Sequence, residues 1–327
     1  MWAMTPPRYI TKNRIYYVTV RAVNRSFRFV PKGQVRKIID YCLAQTLGTY
    51  RDKGLLSVHD FLFMSNHFHL LLTDKGACIP DFLRDLDSLL SRELNAWRGI
   101  RGTNFEKEPG LVRVVSDERI AEHAVYTLAN PVKAFLVAKA RHWKGTSSLR
   151  LEYGQPVPVK KPRLGLWAGK AAHAERRASK RSKRAAYAGR SVLPDVAYLV
   201  IDRPPIMPHL SDEQLRAEIR ERLTRRENEI ALERQKRGIK VLGWSKVVAQ
   251  FFLAIPGKTE ELFQRRPEIS ASNVWQRVAE AALLKKFREA YYAARERFLA
   301  GERDVMFPEG TFYIHRRWNI PVEPLVT

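Results

Sequence analysis

The sequence predicts an α+β protein: a small antiparallel sheet with helices on one face, followed by a basic, mainly helical C-terminal extension. Three observations carry this. β-branched and aromatic runs alternate with stretches of helical periodicity in the first half of the chain. Two apolar runs there are separated by only two turn-forming residues, the signature of a hairpin. Beyond about Val157 the large apolar residues thin out and Lys, Arg and Ala take over, before long charged helical stretches resume.

In order, RIYYVTVRAV (Arg14 to Val23) reads as a strand and VNRSFRFVP as a loop. In Gly33 to Arg51, Val35, Ile38, Ile39, Cys42 and Leu43 recur at helical spacing. Ser57 to Met64 and His67 to Leu72 form the hairpin about Ser65-Asn66. A second helix carries Leu83, Leu86, Leu90 and Leu94 on one face. Gly110 to Val115 is a short strand, and Ser116 is the expected N-cap of a third helix, DERIAEHAVYTLA. Pro131 is expected to end that helix, since the residue before proline is pushed from helical geometry. Asn130 would then cap a further short helix opening at Pro131. In the extension, Ser211 and Gln214 stand at capping-box spacing before a helix reaching Arg237. Ser272 to Ala300 reads as another helix, stopped by Gly301. Met306 to Trp318 reads as short strand-like runs about the turn Pro308-Glu309-Gly310. The expected division is a domain over residues 1–153, a basic linker over 154–195 and a helical extension over 196–327.

Charge narrows the function. The 327 residues include 58 Lys and Arg against 34 Asp and Glu, a formal net charge of +24. A chain that basic repels itself unless it meets a polyanion, and nucleic acid is the expected partner. No run approaches the ~18 apolar residues of a membrane span, and no leader segment is expected at MWAMTPPRYI. Cys42 and Cys78 are too few for a disulfide framework or a cysteine-based zinc site. The expected compartment is reducing, most simply the cytoplasm.

The chemistry-bearing residues lie on the hairpin and the third helix. In a strand, residues two apart share a face, so His67 and His69 present two imidazoles side by side while Phe68 and Leu70 face the core. Such a pair is a metal site in waiting or an ordinary pair of structural histidines. Asn130 follows Tyr126 at i+4, one turn along the same helix face. Its amide oxygen could complete a metal site, or the residue could serve only as a cap. His59, Tyr16, Tyr17, Tyr41 and Tyr50 read as core or hydrogen-bonded structural positions, and Tyr291-Tyr292 as helix packing.

MSNHFHLLL closely resembles the HUH motif of single-tyrosine transposases, and YTLANPVKAFLV resembles the tyrosine segment of REP-associated tyrosine transposases. RAVNRSFRF and WKGTSS echo the same family, and the resemblance spans roughly Arg8 to Leu149. It implies a ferredoxin-like HUH fold with Tyr126 as nucleophile, and a divalent metal, Mg²⁺ or Mn²⁺, held by His67, His69 and Asn130. Relatives among insertion-sequence enzymes carry glutamine where Asn130 stands. The implied reaction cleaves and rejoins single-stranded or hairpin DNA through a 5′-phosphotyrosine, in a bacterial, nucleoid-associated protein that can be a homodimer. Arg21, Asn24 and Arg25 are candidates to grip DNA, as are Arg176, Arg177, Lys180, Arg181, Lys183 and Arg184 in the basic arm. Trp244, Trp275 and Trp318 would stack bases or pack between helices. The alternatives are a non-catalytic DNA-binding protein on the same fold, a metal nuclease that hydrolyses without using Tyr126, and an RNA-binding module. The last lacks the aromatic signatures expected of it.

Overall fold

The computed structural model describes residues 7–163, 193–257 and 267–323. The α+β expectation holds. A five-stranded sheet has the order β2-β3-β1-β4-β7, built from β1 (Arg14–Arg21), β2 (Leu56–Phe63), β3 (His67–Asp74), β4 (Gly110–Val114) and β7 (Ile269–Ser270). The first four strands are antiparallel neighbours, and β7 adds two residues parallel to β4, which makes the sheet mixed. The register pairs Thr19 with His69 and Arg21 with His67. It thereby sets one face of the sheet: Tyr17, Thr19, His69 and Leu71 on one side, and Val18, Phe68 and Leu70 on the other.

Both faces are buried, which requires a layer on each. Helices α1 (Gly33–Arg51) and α2 (Ile79–Arg98) pair through Tyr50 and Phe82, whose ring centroids lie 5.4 Å apart. They cover the Phe68 face, where Phe29 meets Phe63 and Phe68 edge-on. The Asp74 carboxylate accepts from the N–H groups of Cys78 and Ile79 and so starts α2 on that side. Helix α3 (Asp117–Lys133) covers the opposite face. The expected one-sided layer is thus joined by a second, because His69 and Leu71 also bring mostly buried side chains to α3.

Pro131 does not end α3. It sits in the last turn, and the helix closes two residues later in a Schellman turn. Leu136 N–H donates to the Pro131 carbonyl at 2.9 Å and Phe135 N–H to that of Val132, with Phe135 at φ 54°. Asn130 is therefore interior to α3 and caps nothing, and the expected helix from Pro131 to Ala140 does not form. Ser116 is the N-cap residue, but its hydroxyl bonds to Ser272 instead of to α3.

The rest of the chain wraps this sandwich. WKGTSS closes the free edge of β2: Phe63 N–H donates to the Thr146 carbonyl and Trp143 Nε1 to that of Phe63. Gly145 is required there, since a Cβ would lie 2.6 Å from Trp143 Nε1. β5 (Val157–Lys160) and β6 (Val196–Leu199), at the two ends of the expected linker, pair antiparallel and pack on α1. Helix α4 (Asp212–Lys236) begins with the capping box at Ser211 and Gln214 and packs against α3. One apolar core runs from Ile10 through Ile230 to Val247, across both sides of residue 153. Helices α5 (Trp244–Ala249), α6 (Val274–Leu299) and α7 (Phe312–Trp318) complete the described chain. Helix α7 replaces the strand-like run expected after Gly310, a short apolar stretch whose periodicity fits either state. Among the described residues no helix is long and apolar enough to cross a membrane.

Candidate active site

One face of the sheet, α3 and α4 enclose an open cleft of about 1420 Å³ that brings His67, His69, Tyr126 and Asn130 together within a single chain. His69 is held by the register. Its Nδ1 lies 2.7 Å from the Tyr17 hydroxyl and 3.1 Å from that of Thr19, its cross-strand neighbour. Its Nε2 is buried with no hydrogen-bond partner. A proton on Nε2 would be a buried donor with nothing to accept it. The tautomer that satisfies Nδ1 as the donor leaves a lone pair on Nε2, and a cation is what such a lone pair can use.

His67 gives the same answer more directly. Its Nδ1 is 2.8 Å from the Asn66 side-chain oxygen, which only accepts, so the proton is on Nδ1 and the lone pair on Nε2. Asn66 is oriented in turn by donating to the Arg25 carbonyl. The two imidazoles stand 4.7 Å apart, nearly perpendicular. Burial, then the charges of Arg21 and Arg25, push His67 down to about 4. Burial, then His67, holds His69 well below its ordinary 6.5. Both rings are neutral at physiological pH, the state that binds metal.

These donors fit a divalent ion. Among the described residues no group of three or more His, Cys, Asp and Glu could hold a metal. Asn130, the third ligand that the resemblance implies, is buried and lines the cleft. Its side-chain nitrogen lies 3.5 Å from the Tyr126 carbonyl, which leaves the amide oxygen uncommitted to its own helix.

Tyr126 is unlike the other tyrosines near the sheet. It is 39% exposed, on the open side of α3, with its ring 6.0 Å from that of His69 and edge-on to Tyr17 at 5.9 Å. Lys133, two turns on, places its Nζ 3.4 Å from the hydroxyl and 4.5 Å from the ring centre. Tyr17, by contrast, is buried, and desolvation raises its hydroxyl well above 10.

Of the other expected residues, Arg21 and Arg25 line the cleft. Asn24 and Arg25 both have positive φ, 54° and 53°, a strained turn that folds the chain back beside His67. Asn24 is not among the cleft residues and is exposed. Arg176, Arg177, Lys180, Arg181, Lys183 and Arg184 lie outside the described residues. His59 is structural: it bridges the Asp202 carbonyl and the Thr73 hydroxyl at a bulge in β2. Tyr291 packs on Phe307 in a small separate cluster. Trp244 packs on Trp143, whereas Trp275 and Trp318 are exposed. Sequence reasoning missed His123, which stacks on Tyr17 at 4.5 Å, and the arginines of α4 that line the cleft. The signal for His123 was its i+3 spacing to Tyr126 on one helix face.

No protein-family profile and no curated protein matches the chain. Among solved structures it is similar to a REP-associated tyrosine transposase bound to a REP hairpin, at 16% identity and a TM-score of 0.37, over 44% of this chain and 82% of that one. It is also similar to a Deinococcus radiodurans R1 protein assigned as a transposase, at 18% identity and a TM-score of 0.26, over 36% of this chain and 90% of that one. Neither score is high enough to carry an activity or a site residue over to this chain.

Proposed function

We propose that this protein is a metal-dependent transesterase of single-stranded DNA, a transposase-type enzyme that cleaves and rejoins strands through Tyr126. The observation that carries the reading is the pairing of an exposed tyrosine hydroxyl with two neutral imidazoles whose Nε2 lone pairs are unclaimed, in one open cleft.

Tyr126 Oη attacks a backbone phosphorus. The new P–Oη bond forms as the bond from phosphorus to the 3′ oxygen breaks. The tyrosine proton leaves and the departing 3′ oxygen gains one, so the products are a 5′-phosphotyrosine and a free 3′-hydroxyl. The phosphodiester is kept in covalent form. A different 3′-hydroxyl then reverses the step and joins the strand elsewhere, without a nucleotide cofactor. Lys133 Nζ beside the hydroxyl offsets negative charge on Oη in both directions. Helix α3 fixes the tyrosine, and the cleft leaves room for a strand. His67, His69 and Asn130 would hold the metal, Mg²⁺ or, given two imidazoles, preferentially Mn²⁺. When bound, it supplies positive charge to a non-bridging phosphate oxygen.

The test mixes the protein with labelled single-stranded DNA containing hairpins, with Mg²⁺ or Mn²⁺, on a denaturing gel. The expected result is an SDS-resistant adduct that requires metal and vanishes in Tyr126→Phe. Cleavage without an adduct and unaffected by that substitution would replace the proposal with a hydrolytic nuclease. Binding with neither would replace it with a DNA-binding protein.

A further inference from the structure

Helix α4 lies beyond the segment that resembles transposases, yet it forms a wall of the same cleft. Its inner side is fixed. Leu215, Ile219, Leu223 and Ile230 are buried at helical spacing. Arg216, fully buried, reaches Asp60 at 3.0 Å and the carbonyls of Ser148 and Leu151 at 2.6 and 3.1 Å. About one turn after Leu223, Glu227 accepts from Ala140 N–H at 2.6 Å. A helix pinned at two levels presents its remaining side chains from a rigid base.

Among those, Arg222, Arg225 and Arg226 line the cleft that holds His67, His69 and Tyr126. Their i, i+3, i+4 spacing puts them on one face. Arg21 and Arg25 line the cleft from the end of β1. The plain alternative is a solvated face of helical ion pairs, and such pairs exist. Arg222 meets Glu218 at 2.6 Å and Glu118 at 2.9 Å, and Arg226 meets Glu229 at 2.7 Å. Arg225 is 62% exposed and comes no nearer than 3.9 Å to Glu218 and Glu221. The pairs of Arg225 and Arg226 are solvent-exposed and weak, so a phosphate can exchange into them readily, and guanidinium matches phosphate in a forked geometry. Arg222, held by two carboxylates, is the more firmly fixed of the three. The cleft also exceeds the roughly 300–1,000 Å³ of a small-molecule pocket.

We propose that α4 is the second wall of a strand channel, with Arg222, Arg225 and Arg226 contacting backbone phosphates of a single DNA strand whose scissile phosphate lies at Tyr126. This rests on the transesterase reading above and extends the DNA-contacting surface into the C-terminal half of the chain. The contacts are to the backbone, so they give affinity without sequence preference.

The test measures affinity for a labelled single strand across a salt series, comparing the full chain with Arg222→Gln/Arg225→Gln/Arg226→Gln. Lys236→Gln, on the same helix but outside the cleft, is the control, and circular dichroism checks the fold. Three lost phosphate contacts should reduce the slope of log affinity against log salt by about 2, at ~0.7 each. Lys236→Gln should leave the slope unchanged. If the triple variant fails to fold, Arg225→Gln alone should still reduce the slope by ~0.7. An unchanged slope in a folded variant, with wild type still forming the Tyr126 adduct, overturns the α4 wall alone. A wild type that neither binds single strands nor forms the adduct overturns both readings.

Discussion

Two polar clusters are buried on the same face of one sheet, and they are built in opposite ways. In the first, Asp60 on β2 meets Arg216 of α4, and both side chains are essentially inaccessible. Ser148 also donates to the Asp60 oxygen that takes the guanidinium, and Arg216 donates to two carbonyls. In the second, His67 and His69 on β3 are neutral and each tied through Nδ1, and the buried Nε2 of His69 has no partner. The charged cluster is closed by its neighbours, although Asp60 Oδ2 lacks a partner of its own. The neutral cluster is closed on one side only. Buried polar atoms in folded proteins are overwhelmingly partnered, and the proposed metal would partner His69 Nε2. The first cluster docks α4, and the second is where the proposed metal would bind.

The largest effect should come from the closed cluster. Arg216→Met leaves Asp60 buried without its counter-charge, which costs about 3–5 kcal/mol. Urea unfolding should show it as a lower midpoint. The double variant Asp60→Leu/Arg216→Met should recover most of the loss, because an apolar pair of similar volume replaces a buried ion pair at little cost. A single-variant loss below about 1 kcal/mol would mean that water reaches Asp60 and that the pair is not what holds α4.

The open cluster should respond in ligand affinity more than in stability. Tyr17 and Thr19 both accept from His69 Nδ1 in the tautomer that frees Nε2. Tyr17→Phe leaves Thr19 in place and should weaken Mn²⁺ binding about tenfold, the lower end of what outer-shell partners contribute. Adding Thr19→Val should approach a hundredfold. Mn²⁺ titration followed by electron paramagnetic resonance reads this without DNA or turnover. Unchanged affinity in the double variant would remove His69 from the metal site.

Much of the open cluster was legible in the sequence, and almost none of the closed one was. A two-residue period places His67 and His69 on one face whatever the sheet does, and Tyr126 with Asn130 needs only a helical turn. Strands β1 to β4 and the first three helices announce themselves by periodicity, as does α4 by its capping box at Ser211. Arg216, however, is one arginine among many on a charged helix, and its partner Asp60 lies 156 residues away. Long-range pairing leaves no local trace. Pro131 misled for a related reason. Its missing N–H forfeits the bond to the Thr127 carbonyl but does not stop a helix with only two residues left to run, and the turn that really ends α3 depends on Phe135 adopting a left-handed conformation without being glycine. The two residues of β7 are too few for any pattern, and they pair because Arg113 and Val114 offer an open edge.

His123 is the intermediate case between the clusters, and it gives the smallest effect. Its ring stacks on Tyr17 and its Nε2 lies 3.0 Å from the Ser270 hydroxyl, so it is partnered but neutral. Burial, and then the nearby Arg119, lower it from 6.5 to about 4. Between those values the unfolded chain binds a proton that the folded chain refuses. The stability tied to neutral His123 is therefore fully present above about pH 6.5 and is lost as pH falls toward 4. His59, lowered by complete burial, acts in the same direction. The ring of His123 is partly exposed, so its share is about 1 kcal/mol. Metal-free protein should lose stability from about pH 7.5 to about pH 5, and His123→Gln should lose about 1 kcal/mol less over that window. Equal losses in urea midpoints would show that the ring accepts a proton in place. The stack on Tyr17 would then tolerate charge, and the pH sensitivity of this face would belong to the other buried histidines.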